Sequence, residues 1–331
     1  MIRCVEWTLS QEKDRTAAAA FLARNELALE DLERFYVLLD EQERWIGCGG
    51  RHRNVLKCIA LDAAWRGEGL LDQLMSQLIT DGYRQGFQNL FLYTKSALAS
   101  LFEPYGFVVV ADTGIVSLMH RGPDDIAQVL QRMDVSIDPQ GMVGAIVVNA
   151  NPFTLGHRYL IETASRQVDR LLVFVVENDV SRFPFLDRFR LVRDGVADLA
   201  NVTVLPSSVY IISNATFPSY FLKETRSADE QHALLDAAIF KRHFVRHFAI
   251  RKRFLGEEPL DPTTRLYNES LLRILPPECE VIIIPRKSLG DRVISASAVR
   301  RAFDLGDFAT IRTLVPDVTY LYLKERYGKQ P

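Results

Sequence analysis

From Met142 onward, short apolar runs alternate with amphipathic stretches of helical spacing, and this alternation restricts the chain more than any other feature. GAIVVNA, DRLLVFVVE, VTVLPS, IRKRFLG and ECEVIIIP read as strands, several of them apolar on both faces. HRYLIETASRQV, FLDRFRLVRDGVADLA and NESLLRIL read as helices, a long helical region precedes IRKRFLG, and two or three further helices close the chain from Ser297. Strands apolar on both faces need cover on both faces, and a helix after nearly every strand supplies it. The predicted fold class here is α/β, a parallel sheet between layers of helices. Ligands of such sheets bind outside the carboxyl ends of the strands, so the loops that follow the strands are where chemistry is to be sought.

The first third reads differently. RCVEWTL, RFYVLLD, RWIGCGGRH and NVLKCIALD look like strands, with a helix after Asp14 and a bulge or weak point at Gly47, Gly49 and Gly50. LLDQLMSQLITDGYRQG is a helix stopped by Gly86, NLFLYT a strand and VVVADTGIVSLM a closing hairpin, a mixed α+β order. Gly122, Pro123, Pro139 and Gly141 cluster around a short helix. The division predicted is therefore residues 1–122, a linker with a short helix over 123–141, and a second domain over 142–331.

Across 331 residues, Lys+Arg 40 nearly balance Asp+Glu 42. No basic field points to nucleic acid or an anionic membrane as partner, so anionic ligands must be held by locally placed groups. Cys4, Cys48, Cys58 and Cys279 form no metal-ligand spacing, and no metal-ligating residues are predicted. The start of the chain lacks the apolar core of a signal peptide, and a reducing, cytoplasmic setting is expected.

Two elements carry the chemistry. In GAIVVNANPFTLGHRYLIETA a strand leads through a loop into a helix beginning near Gly156, a natural seat for phosphate oxygens. Asn151, Phe153, Thr154, Gly156 and His157 belong to this element; Gly156 admits a close backbone approach, and His157 in the first turn can donate to an anion. In VIIIPRKSLGDRVISASAVRRAF, Ser295, Ser297 and Arg300 form an anion clamp at a helix start, with Ser297 the expected N-cap. Arg188, after the strand LLVFVVE, either reaches phosphate or serves a solvated helix face. Gly256 and Glu257 in GEEP (256–259), after the strand IRKRFLG, either meet a ligand or form an ordinary turn. Ser181 and Arg182 stand in the same segment as Arg188, and Arg286 and Lys287 are weaker candidates from the same edge.

Thr154-Leu155-Gly156-His157 resembles the T/H-x-G-H motif of nucleotidylyltransferases, and Ile294-Ser295-Ala296-Ser297-Ala298-Val299-Arg300 resembles their I-S-S-T-x-x-R motif with the middle residues replaced. The longer strings VVNANPFTLGHRYLIE, FPFLDRFRLVRDG, NVTVLPSSVYIISNATFPSYFLK, FLGEEP and IPRK…ISASAVR resemble the citrate lyase ligases over nearly the whole chain. That resemblance implies a Rossmann-like nucleotidylyltransferase domain that uses ATP with Mg²⁺. It also implies that acetate becomes acetyl-adenylate, and that the acetyl group passes to the thiol of a CoA-like prosthetic group on the citrate lyase acyl-carrier subunit. His157 and Thr154 would serve the α-phosphate; Arg300, Ser295 and Ser297 would hold the leaving pyrophosphate. No residue marks itself as the acetate ligand. A cofactor-type adenylyltransferase, or an N-acetyltransferase with a nucleotide-sensing domain, are the alternatives.

IALDAAWRGEGLLDQLMSQLI resembles the acyl-CoA N-acyltransferase fold, whose R-x-x-G-x-G/A turn binds a CoA pyrophosphate. Arg66 and Gly69 match that pattern, whereas Leu71 stands where it has a small residue. The N-terminal domain then either binds the prosthetic arm through Arg66 and Gly69 or is a relic used for docking.

Overall fold

The computed structural model describes residues 1–328 except 68, 134, 178–180, 212–216, 219, 223–224, 259–260 and 290–291. The chain divides into two units, Met1–Ile126 with Thr216–Leu235, and Ala127–Ala215 with Asp236–Pro331.

In the first unit, β1 (Arg3–Glu6) is followed by α1 (Glu12–Arg24), then β2 (Arg34–Leu39), β3 (Trp45–His52) and β4 (Val55–Leu61). α2 (Leu70–Arg84) leads to β5 (Leu90–Lys95) and the hairpin of β6 (Val108–Asp112) and β7 (Val116–Arg121). The seven strands form one sheet in the order β1-β2-β3-β4-β5-β7-β6. All neighbours are antiparallel except β4 and β5, and that pair is joined through α2, as a parallel connection requires. The apolar stripe of α2, Leu70, Leu74, Met75 and Leu78, is buried with Tyr36, Leu38, Leu56 and Leu90. Gly49 lets the helix come close, since a Cβ there would stand 2.9 Å from Leu78 Cδ1. The β3–β4 register slips between Cys48 and Gly50, so the glycine cluster does mark a bulge.

Residues from far along the chain complete this unit. Ala28 N–H donates to Tyr220 O (2.7 Å), and the buried Tyr220 hydroxyl donates to Tyr93 O (2.9 Å). Thr113 Oγ1 donates to Gln231 Oε1 (2.7 Å). The β4–β5 pairing is confined to Val55–Phe91 and Leu56–Leu92, and Tyr220 takes the carbonyl one residue past the last pair.

In the second unit, α3 (Ile126–Gln131) precedes β8 (Val143–Val148), α4 (Leu155–Ser165), β9 (Arg170–Val175), α5 (Phe185–Gly195) and β10 (Val202–Pro206). The chain returns to this unit at Asp236, near the end of α6 (Thr225–Ile239), and after a π-helical stretch over Phe240–Val245 come β11 (Ile250–Gly256), α7 (Pro262–Ile274) and β12 (Glu280–Ile284). The sheet order is β10-β9-β8-β11-β12, with every pairing parallel. Strand order switches between β8 and β11, which is where such sheets open a ligand crevice. One face packs Ile146, Val148, Ile161, Leu191 and Phe254 into a common core. On the other, Phe174 meets Phe240, Phe244 and Phe248 at 6.5, 5.3 and 5.5 Å between ring centroids. A small hairpin, β13 (Ser288–Leu289) and β14 (Arg292–Val293), stands where the sequence reads as loop. Helices α8 (Ala296–Asp304), α9 (Phe308–Leu314) and α10 (Asp317–Tyr327) then close around Val299, Ile311, Leu323 and Phe183. Among the described residues no helix is long and apolar enough to cross a membrane.

Candidate active site

The loop after β8 is held by polar contacts from two other segments. Ala150 has φ +49°, a left-handed conformation that costs an alanine about 1 kcal/mol and persists only where the surroundings impose it. Arg188 Nη1 donates to Asn149 O (2.6 Å) and Oδ1 (2.9 Å), and its Nε donates to Phe183 O (3.0 Å). Phe183 N–H in turn donates to Asn151 Oδ1 (3.2 Å). Phe153 is buried, its ring nearly parallel to that of His157 at 6.0 Å. Gly195 makes room for it, because a Cβ there would lie 2.4 Å from Phe153 Cε1.

Thr154 is the N-cap of α4. Its Oγ1 accepts from His157 N–H (3.3 Å), and Thr154 N–H donates back to His157 Nδ1 (3.1 Å), a reciprocal capping box. Glu or Gln commonly fills the second role; an imidazole fills it here, with a chemical consequence. Nδ1 must be unprotonated to accept, so the network assigns the ring proton to Nε2. Burial, aided by the nearby Arg286 charge, holds the His157 pKa down at about 4. At neutral pH His157 is therefore an uncharged ring with a fixed Nε2–H donor, on the wall of the cleft.

Ser295, with extended backbone (φ −137°, ψ 151°), is the N-cap of α8, and its Oγ accepts from Ala298 N–H (3.1 Å). The expectation that Ser297 caps this helix is corrected: a cap precedes the first helical residue, and Ser297 already lies within the first turn. Its Oγ instead accepts from Arg300 Nη2 (3.0 Å). Arg300 Nη1 donates to Asn151 O (2.6 Å), joining segments 149 residues apart in sequence. Gly156 permits the approach, since a Cβ there would stand 3.0 Å from Ile294 O. Its missing side chain thus serves the contact between the two elements, while its backbone lines the cavity.

The two elements open onto one cavity of about 700 Å³, beyond the carboxyl ends of β8, β11 and β12. Thr154, Gly156, His157, Gly256, Ser295, Ser297 and Arg300 all line it. So do the weaker candidates Arg286 and Lys287. Arg286 Nε donates to Glu257 O (2.6 Å) and its guanidinium pairs with Glu258. Lys287 Nζ stands 5.6 Å over the Tyr159 ring.

Other expected residues are elsewhere. Asn151 and Phe153 shape the loop without lining the cavity, and Glu257 contributes a backbone carbonyl to Arg286. Arg188 neither reaches the cavity nor serves a solvated face: it is fully buried, because Asn149 and Phe183 offer it acceptors on the inward side of α5. Ser181 Oγ donates to Asn149 Oδ1 (3.1 Å), and Arg182 pairs with Asp304 (2.6 Å). Pro259, at the end of GEEP, and Glu68, within the R-x-x-G turn, lie outside the described residues. Arg66 is exposed in the first unit, its Nε donating to Leu61 O (3.4 Å), and Gly69 (φ +71°) is the N-cap of α2. Asp72, in the first turn of α2 and bonded by the Tyr105 hydroxyl, sets a carboxylate where a pyrophosphate would need positive potential. Sequence reasoning missed Asn149, Arg253, Tyr267 and Asn268 on the cavity wall. The sequence marks Arg253 only as one of three adjacent basic residues, Arg251, Lys252 and Arg253, in a strand.

A parallel five-stranded sheet with its cleft at the switch point is a Rossmann-like α/β fold, here attached to an α+β unit. The chain belongs to the citrate lyase ligase family: the model described as the citrate lyase ligase C-terminal domain matches residues 143–323. The [citrate [pro-3S]-lyase] ligase of Klebsiella pneumoniae is 38% identical over 96% of this chain and 94% of that one. That of Haemophilus influenzae is 36% identical over 96% and 97%, and that of Escherichia coli K12 36% over 95% and 92%. Among solved structures, an acetyltransferase of the GNAT family from Staphylococcus aureus MU50 aligns over 38% of this chain and 100% of its own, at 13% identity and a TM-score of 0.32.

Proposed function

We propose that this protein is a cytoplasmic AMP-forming ligase that activates acetate with ATP and acetylates the prosthetic-group thiol on the citrate lyase acyl-carrier subunit, so activating the lyase. The partner is suggested by the relatives, each of which is named a ligase of citrate lyase. The observation that carries the chemistry is the convergence of His157 and Arg300 on one cavity.

An acetate oxygen attacks the α-phosphorus, the bond to the β-phosphate breaks, and pyrophosphate leaves. Acetate is already ionised at neutral pH, so this step needs positioning and charge stabilisation, not a base. His157 Nε2–H serves an α-phosphate oxygen as a neutral donor that Thr154 N–H keeps in one tautomer. Arg300 commits two guanidinium nitrogens to Asn151 O and Ser297 Oγ, and its remaining N–H groups, with the amides at the start of α8, hold the departing phosphates. The cavity rim offers guanidinium, imidazole, hydroxyl and amide groups, a set suited to phosphate oxygens; Mg²⁺ would be held by the triphosphate and neutralise part of its charge. In the second step the carrier thiol sulfur attacks the acetyl carbonyl, AMP departs, and the thiol proton is lost to solvent.

The test is to incubate the protein with ATP, Mg²⁺ and acetate, with and without thiol-form citrate lyase. AMP, pyrophosphate and restored lyase activity are expected together. A stable dinucleotide product, or acetyl transfer from acetyl-CoA without ATP, would replace this reading with one of the two alternatives.

A further inference from the structure

Deeper than the phosphate rim, the cavity reaches Arg253. This residue sits within β11, three positions before Gly256, and so about 10 Å below the strand end at roughly 3.3 Å per residue. It is 1% exposed, and its Nε and Nη1 have no hydrogen-bond partner. Among the described residues its one side-chain contact of hydrogen-bond type is with the Tyr267 hydroxyl. The guanidinium carbon lies 4.7 Å over the Phe240 ring. Beside it the Tyr267 hydroxyl donates to Asp236 Oδ2 (2.6 Å). The buried Asp236 offsets part of the charge through Tyr267, but two buried N–H donors of the guanidinium remain costly until an acceptor arrives.

The surroundings say what kind of acceptor fits. Arg253 pairs in register with Ala145, so strand alternation puts Val147 of β8 and Leu255 of β11 on the same face of the sheet, with Asn149 just past the end of β8. All three line the cavity. The lower chamber therefore combines a cation with an apolar wall, while the other cationic side chains, Arg286, Lys287, Arg300 and Arg301, line the cavity from segments beyond the strand ends. A phosphate group would find too few donors at this depth. A short carboxylic acid matches it, with one charge and a small alkyl end.

We propose that Arg253 seats the carboxylate of the small aliphatic acid, with the methyl group against Val147 and Leu255 and one oxygen turned toward the α-phosphorus above. The inference rests on the adenylation reading and adds to it the positioning residue for the acid.

The experiment uses full-length R253M and R253K, with ATP affinity and acetate-dependent ATP–pyrophosphate exchange as readouts. For R253M, ATP affinity should stay within about twofold while KM for acetate rises on the order of 10²-fold, the usual loss for a charge-assisted pair. R253K keeps the charge without the fork and should fall between; if R253M does not fold, R253K carries the test alone. An unchanged KM for acetate in an active variant overturns the inference and leaves the ligase reading standing. Loss of ATP affinity in step with acetate would make Arg253 a scaffold residue and also overturns it. Wild-type protein without acetate-dependent exchange removes both readings at once.

Discussion

Replacing His157 by alanine separates two jobs that one side chain performs. As a transition-state donor to the α-phosphate it should be worth about 3–4 kcal/mol, so kcat should fall roughly 10²–10³-fold. As half of a capping box it should be worth much less. The variant leaves Thr154 N–H without its imidazole acceptor but keeps the bond from residue 157 N–H to Thr154 Oγ1, because that donor is main chain. Losing this half of the box costs about 0.5–1 kcal/mol, and losing the ring face against Phe153 about as much again. Together these predict a fall in Tm of roughly 2–8 °C with the fold intact. The assay is acetate-dependent pyrophosphate release at saturating ATP, beside a thermal melt of the same sample. If Tm falls as stated while kcat stays within about threefold of wild type, the imidazole is only a cap, and its assignment to the α-phosphate is refuted.

Three further outcomes follow from the same geometry. The folded-state pKa of His157 is about 4, below the unfolded value near 6.5, so its contribution to stability is present above pH 6.5 and lost as pH falls toward 4. Chemical denaturation across that window should show wild type losing up to about 2–3 kcal/mol that the His157→Ala variant does not lose. Gly156→Ala would set a methyl group 3.0 Å from Ile294 O and push the start of α8 away from the first loop; kcat/KM for ATP should fall about tenfold or more, with a destabilisation of about 1–2 kcal/mol. Arg188→Met strands buried acceptors on Asn149 and Phe183, and a denaturant midpoint should report a loss of at least about 3 kcal/mol, where a residue serving only phosphate would leave stability unchanged.

The arginines show how far the sequence could be read. Arg188, Arg253 and Arg300 all stand on segments next to expected ligand loops, and helix or strand periodicity treats them alike. Arg300 was recognisable through its motif and lines the cavity. Arg188 was not, because its acceptors on Asn149 are 39 residues away along the chain. In IRKRFLG three neighbouring positions are basic, and alternation alone does not say which of them turns inward; the pairing of β11 with β8 and the aromatic face of Phe240 decide for Arg253.

What the sequence determined alone is local. The parallel α/β sheet, the mixed unit before it, the bulge near Gly49 and the helix start near Gly156 follow from hydrophobic period, glycine placement and capping chemistry, which act within a few residues. What only the tertiary structure decided is long-range. Residues Thr216–Leu235 join the first unit through Tyr220 and Gln231, and Arg300 reaches Asn151 O across 149 residues of sequence, where Gly156 leaves room beside Ile294 O. Such choices turn on which distant backbone carbonyl or apolar surface comes within a few ångströms, and a one-dimensional pattern holds no record of that.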